Sequence, residues 1–215
     1  MISSSTTIIE DKESKPWVME RLENSTLKFE DWELYKDQML DLDRGSFNVL
    51  DSSTTLILDK SGNPLDKGSW SRRGLVMGSV QSGKTANYLG LINKASDAGY
   101  KIIIILSGIH NLLREQTQIR IDEGYGGKAT SGKTQQTLEK YIGVGSLRIH
   151  KDEPFFPIPY TTSESDFNKM RQDILPVLNT LKSPVYMVLK KNSKVLEAVV
   201  NWAQSNIDDN KRMDE

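Results

Sequence analysis

The chain has 215 residues, 37% hydrophobic and 27% charged, with a formal net charge of −1, a composition suited to a soluble globular protein with one sizeable core. No apolar run approaches the ~18 residues of a membrane span, and Met1–Thr7 lacks the basic start and apolar centre of a secretion signal, so a cytoplasmic protein without membrane partners is expected. The absence of cysteine excludes disulfides and thiolate metal sites, and His110 and His150 are too few and too dispersed for an imidazole zinc centre.

Charge is unevenly spread. Residues 1–68 carry 8 basic and 14 acidic side chains, whereas residues 69–150 carry 11 and 5. The basic excess of the middle segment suits a polyanion, either nucleotide or nucleic acid, although ordinary surface charge would look the same.

Residues 1–14 are polar. From Pro16 a short helical pattern begins with Trp17, Val18 and Leu22. Phe29, Trp32, Tyr35, Met39 and Leu42 then recur every three or four residues, which predicts an amphipathic helix that Gly45 should stop. Residues 46–71 read as mixed, with a short apolar run at Leu56–Leu58 and a turn at Ser61–Pro64. Residues 1–68 are thus expected to form a helical N-terminal attachment.

Character changes after residue 68. Leu75-Val76-Met77 predicts a buried strand, followed by Gly78-Ser79-Val80-Gln81-Ser82-Gly83-Lys84-Thr85. This fits G-x-x-x-x-G-K-[ST], the phosphate loop, whose glycines let successive N–H groups turn inward around phosphate oxygens. Lys84 would reach the outer phosphates of ATP, and Thr85 would hold Mg²⁺ through its hydroxyl. A helix should run from about Lys84 to Ala98, with Leu89 and Ile92 inward and Gly99 as its C-terminal cap. Ile102–Leu106 is a continuous apolar run, which predicts a strand covered on both faces. Strand, helix and strand make a βαβ unit, hence a parallel sheet and an α/β fold with the ligand at the carboxyl ends of the strands.

A further helix is predicted from about Asn111 to Glu123, with Leu112, Leu113 and Ile119 inward. Strands are expected at Leu147–Ile149 and Val185–Leu189, with a proline-rich loop at 154–159 and a helical stretch around Phe167–Leu175 between them. The last helix should span about Ser193 to Gln204, followed by a polar end. Gly127–Thr134, including Lys133, also satisfies the phosphate-loop pattern, but no apolar strand precedes it, so it reads as a polar loop. No strand after Thr85 ends in the acid that a phosphate-loop ATPase uses for Mg²⁺ and water; Ile102–Leu106 leads into Ser107 and Val185–Leu189 into Lys190. The segment 69–215 is therefore expected to be a nucleotide-binding lobe truncated before its acidic strand, or one that hydrolyses poorly.

Arg72–Tyr88, with the phosphate loop at its centre, resembles the signature of the Z-one domain family of bacterial helicase-like proteins. Leu106–Arg120 is similar to that family's second block, and Lys190-Lys191-Asn192 to a later one, so the resemblance covers roughly residues 70–204. It implies a RecA-like lobe resembling superfamily-two helicases, an ATPase or endonuclease component of restriction-like and anti-phage systems, with DNA and other defence proteins as partners. It also implies that Arg114, Gln116, Gln118 and Arg120 face a nucleic-acid backbone, where their donors suit phosphates; an exposed polar helix face is the alternative. Lys84 would be the residue that acts on the transferred phosphate. No Asp…Glu-x-Lys constellation supports a nuclease here. Trp17, Trp32, Trp70 and Trp202 read as core anchors, and His110 has no visible catalytic partner. Lys182, Lys190, Lys191 and Lys194 suit either a basic edge or a solvated surface. Two other readings use the same loop: a nucleotide-gated interaction module, and a small-molecule kinase, for which no arginine-rich lid is legible.

Overall fold

The computed structural model describes residues 16–39, 43–68, 70–78, 83–130, 140–151, 155–167 and 183–213, with side chains as far as residue 205. Helix α1 (Val18–Glu23) is fixed from a distance: the Asp59 carboxylate accepts from the backbone N–H of Trp17 and Val18 at 2.7 and 2.9 Å. Helix α2 (Glu30–Gln38) buries Trp32 and Tyr35 of the predicted period, with Phe29 and Met39 at its two ends, while Leu42 lies outside the described residues. Gly45 does not stop it. The Asp43 side chain accepts from Gly45 and Ser46 N–H and so caps helix α3 (Arg44–Lys60), which places Gly45 in the first turn. Residues 46–60 of the stretch read as mixed therefore belong to one helix, with Leu50, Thr54 and Leu58 buried four residues apart.

Helix α4 (Lys84–Ala98) has the predicted bounds, and Gly99 closes it at φ 105°, its N–H returning to the last-turn carbonyls. It packs on α2 and α3 along most of its length. Gly90 makes the close approach possible, because a Cβ there would lie 2.9 Å from the Trp32 ring and 3.2 Å from Thr54. Lys94 is fully buried on the same side. Its ammonium donates to the Asp51 carbonyl, the Asp51 carboxylate and the Thr55 hydroxyl at 2.8, 2.5 and 2.7 Å, and lies 4.4 Å from the Trp32 ring centre. Burial lowers its pKa, while Asp51 opposes the shift.

The described sheet is small and parallel. β1 (Ile102–Leu106) pairs with β3 (Val185–Leu189), and β3 with the two-residue β2 (Ile158–Pro159), giving the order β1-β3-β2. The fold is thus α/β, with helices flanking a three-stranded parallel sheet. β3 is buried throughout, as expected of the middle strand. β1 is covered less than its sequence predicts, since among the described strands it lies at the edge, and its Ile104 and Leu106 stay about half exposed. Residues 71–78 form no strand and are all exposed; Leu75 and Met77 are 83% and 85% accessible. Three apolar residues make a strand only where a neighbour supplies ladder bonds and a covered face, and none of the described strands pairs with them.

Helix α5 (Asn111–Ile121) continues into a π-helical turn at Asp122–Gly126. Its orientation reverses the prediction. Leu112, Leu113 and Ile119 face outward, and Arg114, Gln118 and Ile121 are buried. Leu147–Ile149 is not a strand either, because helix α6 (Val144–Arg148) includes its first two residues and aims Arg148 into the interior. The helix predicted around Phe167–Leu175 lies outside the described residues beyond Phe167. Helix α7 (Ser193–Met213) runs well past Gln204.

Two cores cover the sheet. Trp32, Leu34, Tyr35 and Leu50 of α2 and α3 join Leu89, Ile92, Ile121, Tyr125, Tyr186 and Val188 in one, so residues before and after position 68 share a single interior. On the other face, Met187, Leu189, Tyr160 and Phe167 enclose Trp202 of α7, whose ring meets Tyr160 and Phe167 edge-on. Trp17, Trp32 and Trp202 are core anchors as expected, while Trp70 is 41% exposed and packs edge-on to Tyr100. Among the described residues no helix is long and apolar enough to cross a membrane.

Gly90→Ala should test the packing of α4. Helix propensity alone favours alanine by about 1 kcal/mol, but the Trp32 contact predicts a net loss of about 1–3 kcal/mol in denaturant unfolding. A stabilised variant would show that α4 can move away from α2.

Candidate phosphate loop and the buried polar clusters

Of the phosphate-loop residues, Gly78 is exposed, Ser79, Val80, Gln81 and Ser82 lie outside the described residues, and Gly83, Lys84 and Thr85 open α4. Gly83 adopts φ 75°, a left-handed conformation that suits glycine, with no side chain capping the helix. The Asn87 N–H returns to the Gly83 carbonyl at 3.0 Å. The N–H groups before it belong to the set that every helix leaves without an intrahelical acceptor, the usual seat of a phosphate. Lys84 is exposed at the first helical position, and Thr85 is half-buried beside it. Asn87 also donates to Ser53 Oγ at 3.1 Å, which ties this end of α4 to α3. Gly83, Lys84 and Thr85 thus stand together at the start of α4.

The second phosphate-loop match departs from that arrangement. Gly127 follows the π-helical turn, Thr130 binds Asp122, and 131–139, including Lys133, lie outside the described residues.

The four residues predicted to face nucleic acid divide into two pairs. Gln116 and Arg120 are exposed, whereas Arg114 and Gln118 are 3% and 0% accessible and occupied inside the protein. Arg114 donates from Nη1 to the Thr162 carbonyl at 2.7 Å and from Nη2 to the Ser163 carbonyl. Gln118 donates to Asp122 at 2.8 Å and accepts from Thr161 Oγ1 at 2.7 Å. Asp122 also accepts from Tyr186 Oη at 2.9 Å and from the Thr130 hydroxyl and N–H. Burial raises the Asp122 pKa, and these hydrogen bonds oppose the rise. Arg114, Gln118 and Asp122 thus recur every four residues as a polar stripe that binds α5 to the segment after β2 and to β3. That spacing was visible in the sequence, but its apolar neighbours gave the stronger signal for an inward face.

His110 sits exposed at the start of α5 without capping it. Lys190 donates to Asn111 at 2.8 Å and lies 4.0 Å from Asp166, so it braces β3 against α5. Lys191 and Lys194 are exposed, and Lys182 lies outside the described residues.

A second polar cluster was not anticipated. Asp97, at the penultimate position of α4, turns its carboxylate to the start of α2 and accepts from Asp31 and Trp32 N–H at 2.9 and 3.1 Å. It thereby supplies the N-terminal cap that Phe29 does not. The Asp31 carboxylate accepts from Ser96 Oγ at 2.8 Å and from Arg148 Nη2 at 2.7 Å. Arg148 also donates from Nη1 to the Tyr125 carbonyl at 3.1 Å. Burial, reinforced by the Asp31 charge, raises the Asp97 pKa to about 8. The one sequence signal was an acid in the last turn of a helix, where the dipole disfavours it.

Comparison with protein-family models, with curated proteins and with solved structures finds no match in any of the three.

Two outcomes follow from these clusters. Arg114→Ala should lose about 2–4 kcal/mol in denaturant unfolding, because two carbonyls are stranded in the interior, while Gln116→Ala should change stability by less than about 0.5 kcal/mol. Equal, small effects would return Arg114 to the surface. Asp97 binds its proton more tightly in the folded chain than in the unfolded one. Its contribution to stability is therefore full below the ordinary carboxylate range and is lost as pH rises through about 8. Thermal unfolding followed from pH 5 to 9 should show a steeper decline in the parent than in Asp97→Asn; parallel profiles would exclude Asp97 as the source.

Proposed function

We propose that this chain is the ATP-binding lobe of a helicase-like, DNA-processing ATPase of the Z-one domain family, acting in a bacterial restriction-like or anti-phage system. The observation that carries the proposal is the pattern Gly78–Thr85 leading, through a left-handed Gly83, into the N-terminus of α4. Backbone N–H groups and Lys84 would hold the phosphates, and Thr85 would hold the Mg²⁺ that neutralises them. The parallel sheet is in keeping with a RecA-like lobe, and the flanking Asn87, within the block that resembles the family, fastens the loop's helix to α3. Gln116 and Arg120 remain suited to a nucleic-acid backbone; Arg114 and Gln118 are not part of that reading.

A second reading, a nucleotide-gated interaction module with little hydrolysis, draws on the ends of the strands. β1 runs into Ser107 and β3 into Lys190, so neither offers a carboxylate to Mg²⁺ or water.

Lys84→Ala should weaken ATP binding at least tenfold in a fluorescent-nucleotide titration, while Lys133→Ala leaves it unchanged. Unaltered affinity in Lys84→Ala, or equal loss in both, would overturn the assignment of the loop. ATP turnover measured with and without duplex DNA separates the two readings: stimulation by DNA supports the motor, and binding without turnover supports the module.

A further inference from the structure

The first turn of α4 carries the end of the phosphate-loop pattern but buries little. Gly83 and Lys84 are exposed, Thr85 to Tyr88 are half-buried, and full burial begins at Leu89. The Lys94 anchor lies about 15 Å further along the helix axis than Lys84. Asn87 supplies a nearer link. Its backbone N–H donates to the Gly83 carbonyl at 3.0 Å and closes the first turn, while its side-chain Nδ2 donates to Ser53 Oγ of α3 at 3.1 Å. The Ser53 hydroxyl in turn donates to the Leu50 carbonyl at 3.1 Å. With its proton committed there, the Ser53 oxygen is left as an acceptor, which sets the Asn87 amide with its nitrogen toward α3. Leu50 is buried in the core that α2, α3 and α4 share. A continuous path of hydrogen bonds thus runs from the left-handed Gly83 to the interior face of α3.

Helix ends fray, and a frayed turn has to be ordered by the ligand that its N–H groups receive. The conformational freedom lost in that ordering is subtracted from the affinity. A turn fastened beforehand avoids the loss. We propose that Ser53 is a positioning residue for the phosphate loop: it holds the Asn87 amide, and through it the first turn of α4, in the arrangement that receives nucleotide phosphates. This rests on the reading of Gly78–Thr85 as a nucleotide site, and it extends that site to α3, outside the residues 70–204 that resemble the family. By reciprocity, bound nucleotide strengthens the hold of α4 on α3.

The test is a fluorescent-nucleotide titration of the full chain and its variants. Ser53→Ala should weaken ATP binding about threefold to tenfold, the worth of one hydrogen bond, without lowering the denaturant midpoint, since alanine is the better helix former. Ser53→Thr keeps the hydroxyl and should bind as the parent does. Asn87→Ala should match Ser53→Ala, and the double variant should lose no more than either, because both changes cut the same link. Parent-like binding in Ser53→Ala, where Lys84→Ala has lost it, would overturn this inference and leave the nucleotide site standing; a parent chain that binds no ATP would overturn both. Equal losses in Ser53→Ala and Ser53→Thr would refute the hydroxyl's role. A larger loss in Asn87→Ala, or multiplied losses in the double variant, would place Asn87 on the ligand itself and end the assignment to Ser53.

Discussion

The position of α4 depends on a single buried ammonium. Lys94 has three donors, and all three are used on α3, by Asp51 through two oxygens and by Thr55. The face of Trp32 from α2 covers the same charge at 4.4 Å. A fully buried lysine is tolerable only when its hydrogen bonds are complete and a counter-charge is near, and here both conditions come from another helix. Gly90, one turn earlier, lets the same Trp32 ring lie against the backbone. The helix that carries Gly83, Lys84 and Thr85 at its N-terminus is therefore held by a buried ammonium whose counter-charge, Asp51, remains about half exposed.

Its far end is held by a different device. Asp97 caps α2 across space, and Asp31 then links that cap to Arg148, 117 residues further along the chain. The two ends of α4 thus differ in character. The N-terminal end begins at a left-handed Gly83 with no side-chain cap, and the C-terminal end spends its acid on a neighbouring helix. Between them, Asn93 donates to the Gly124 carbonyl at 2.9 Å and brings the π-helical turn against the helix. The turn in turn presents Asp122 to Gln118, Tyr186 and Thr130.

This internal use of polar groups alters how the Leu106–Arg120 block is read. Residues with donors suitable for nucleic acid are equally suitable for carbonyls, and only burial separates the two uses. Arg114 and Gln118 are spent on the loop after β2, which leaves Gln116 and Arg120 outward. The apolar residues displaced from the interior, Leu112 and Leu113, are exposed as a result, as are Ile104 and Leu106 on β1. Hydrophobic periodicity ranks the faces of a helix by side-chain type; it cannot weigh a polar stripe whose partners are forty residues away.

What the sequence determined by itself is local. The bounds of α4, its glycine C-terminal cap, the strands at 102–106 and 185–189 and the phosphate-loop pattern were all legible, because each rests on propensity, periodicity or glycine conformation within one short window. A parallel sheet was expected from a βαβ unit ending at residue 106; the described sheet is parallel, but β1 pairs with β3 and residues 75–77 are not among its strands. Tertiary structure decided the rest. Arg148, expected in a strand, lies in α6 and reaches Asp31 and the Tyr125 carbonyl, whereas the Asp43 cap that puts Gly45 inside a new helix is a local contact. Leu75–Met77 gained no strand, since none of the described strands offers it a ladder. For Arg148, as for Arg114 and Gln118, the reason is that a buried polar group goes where its hydrogen bonds are completed, and those partners lie far along the chain.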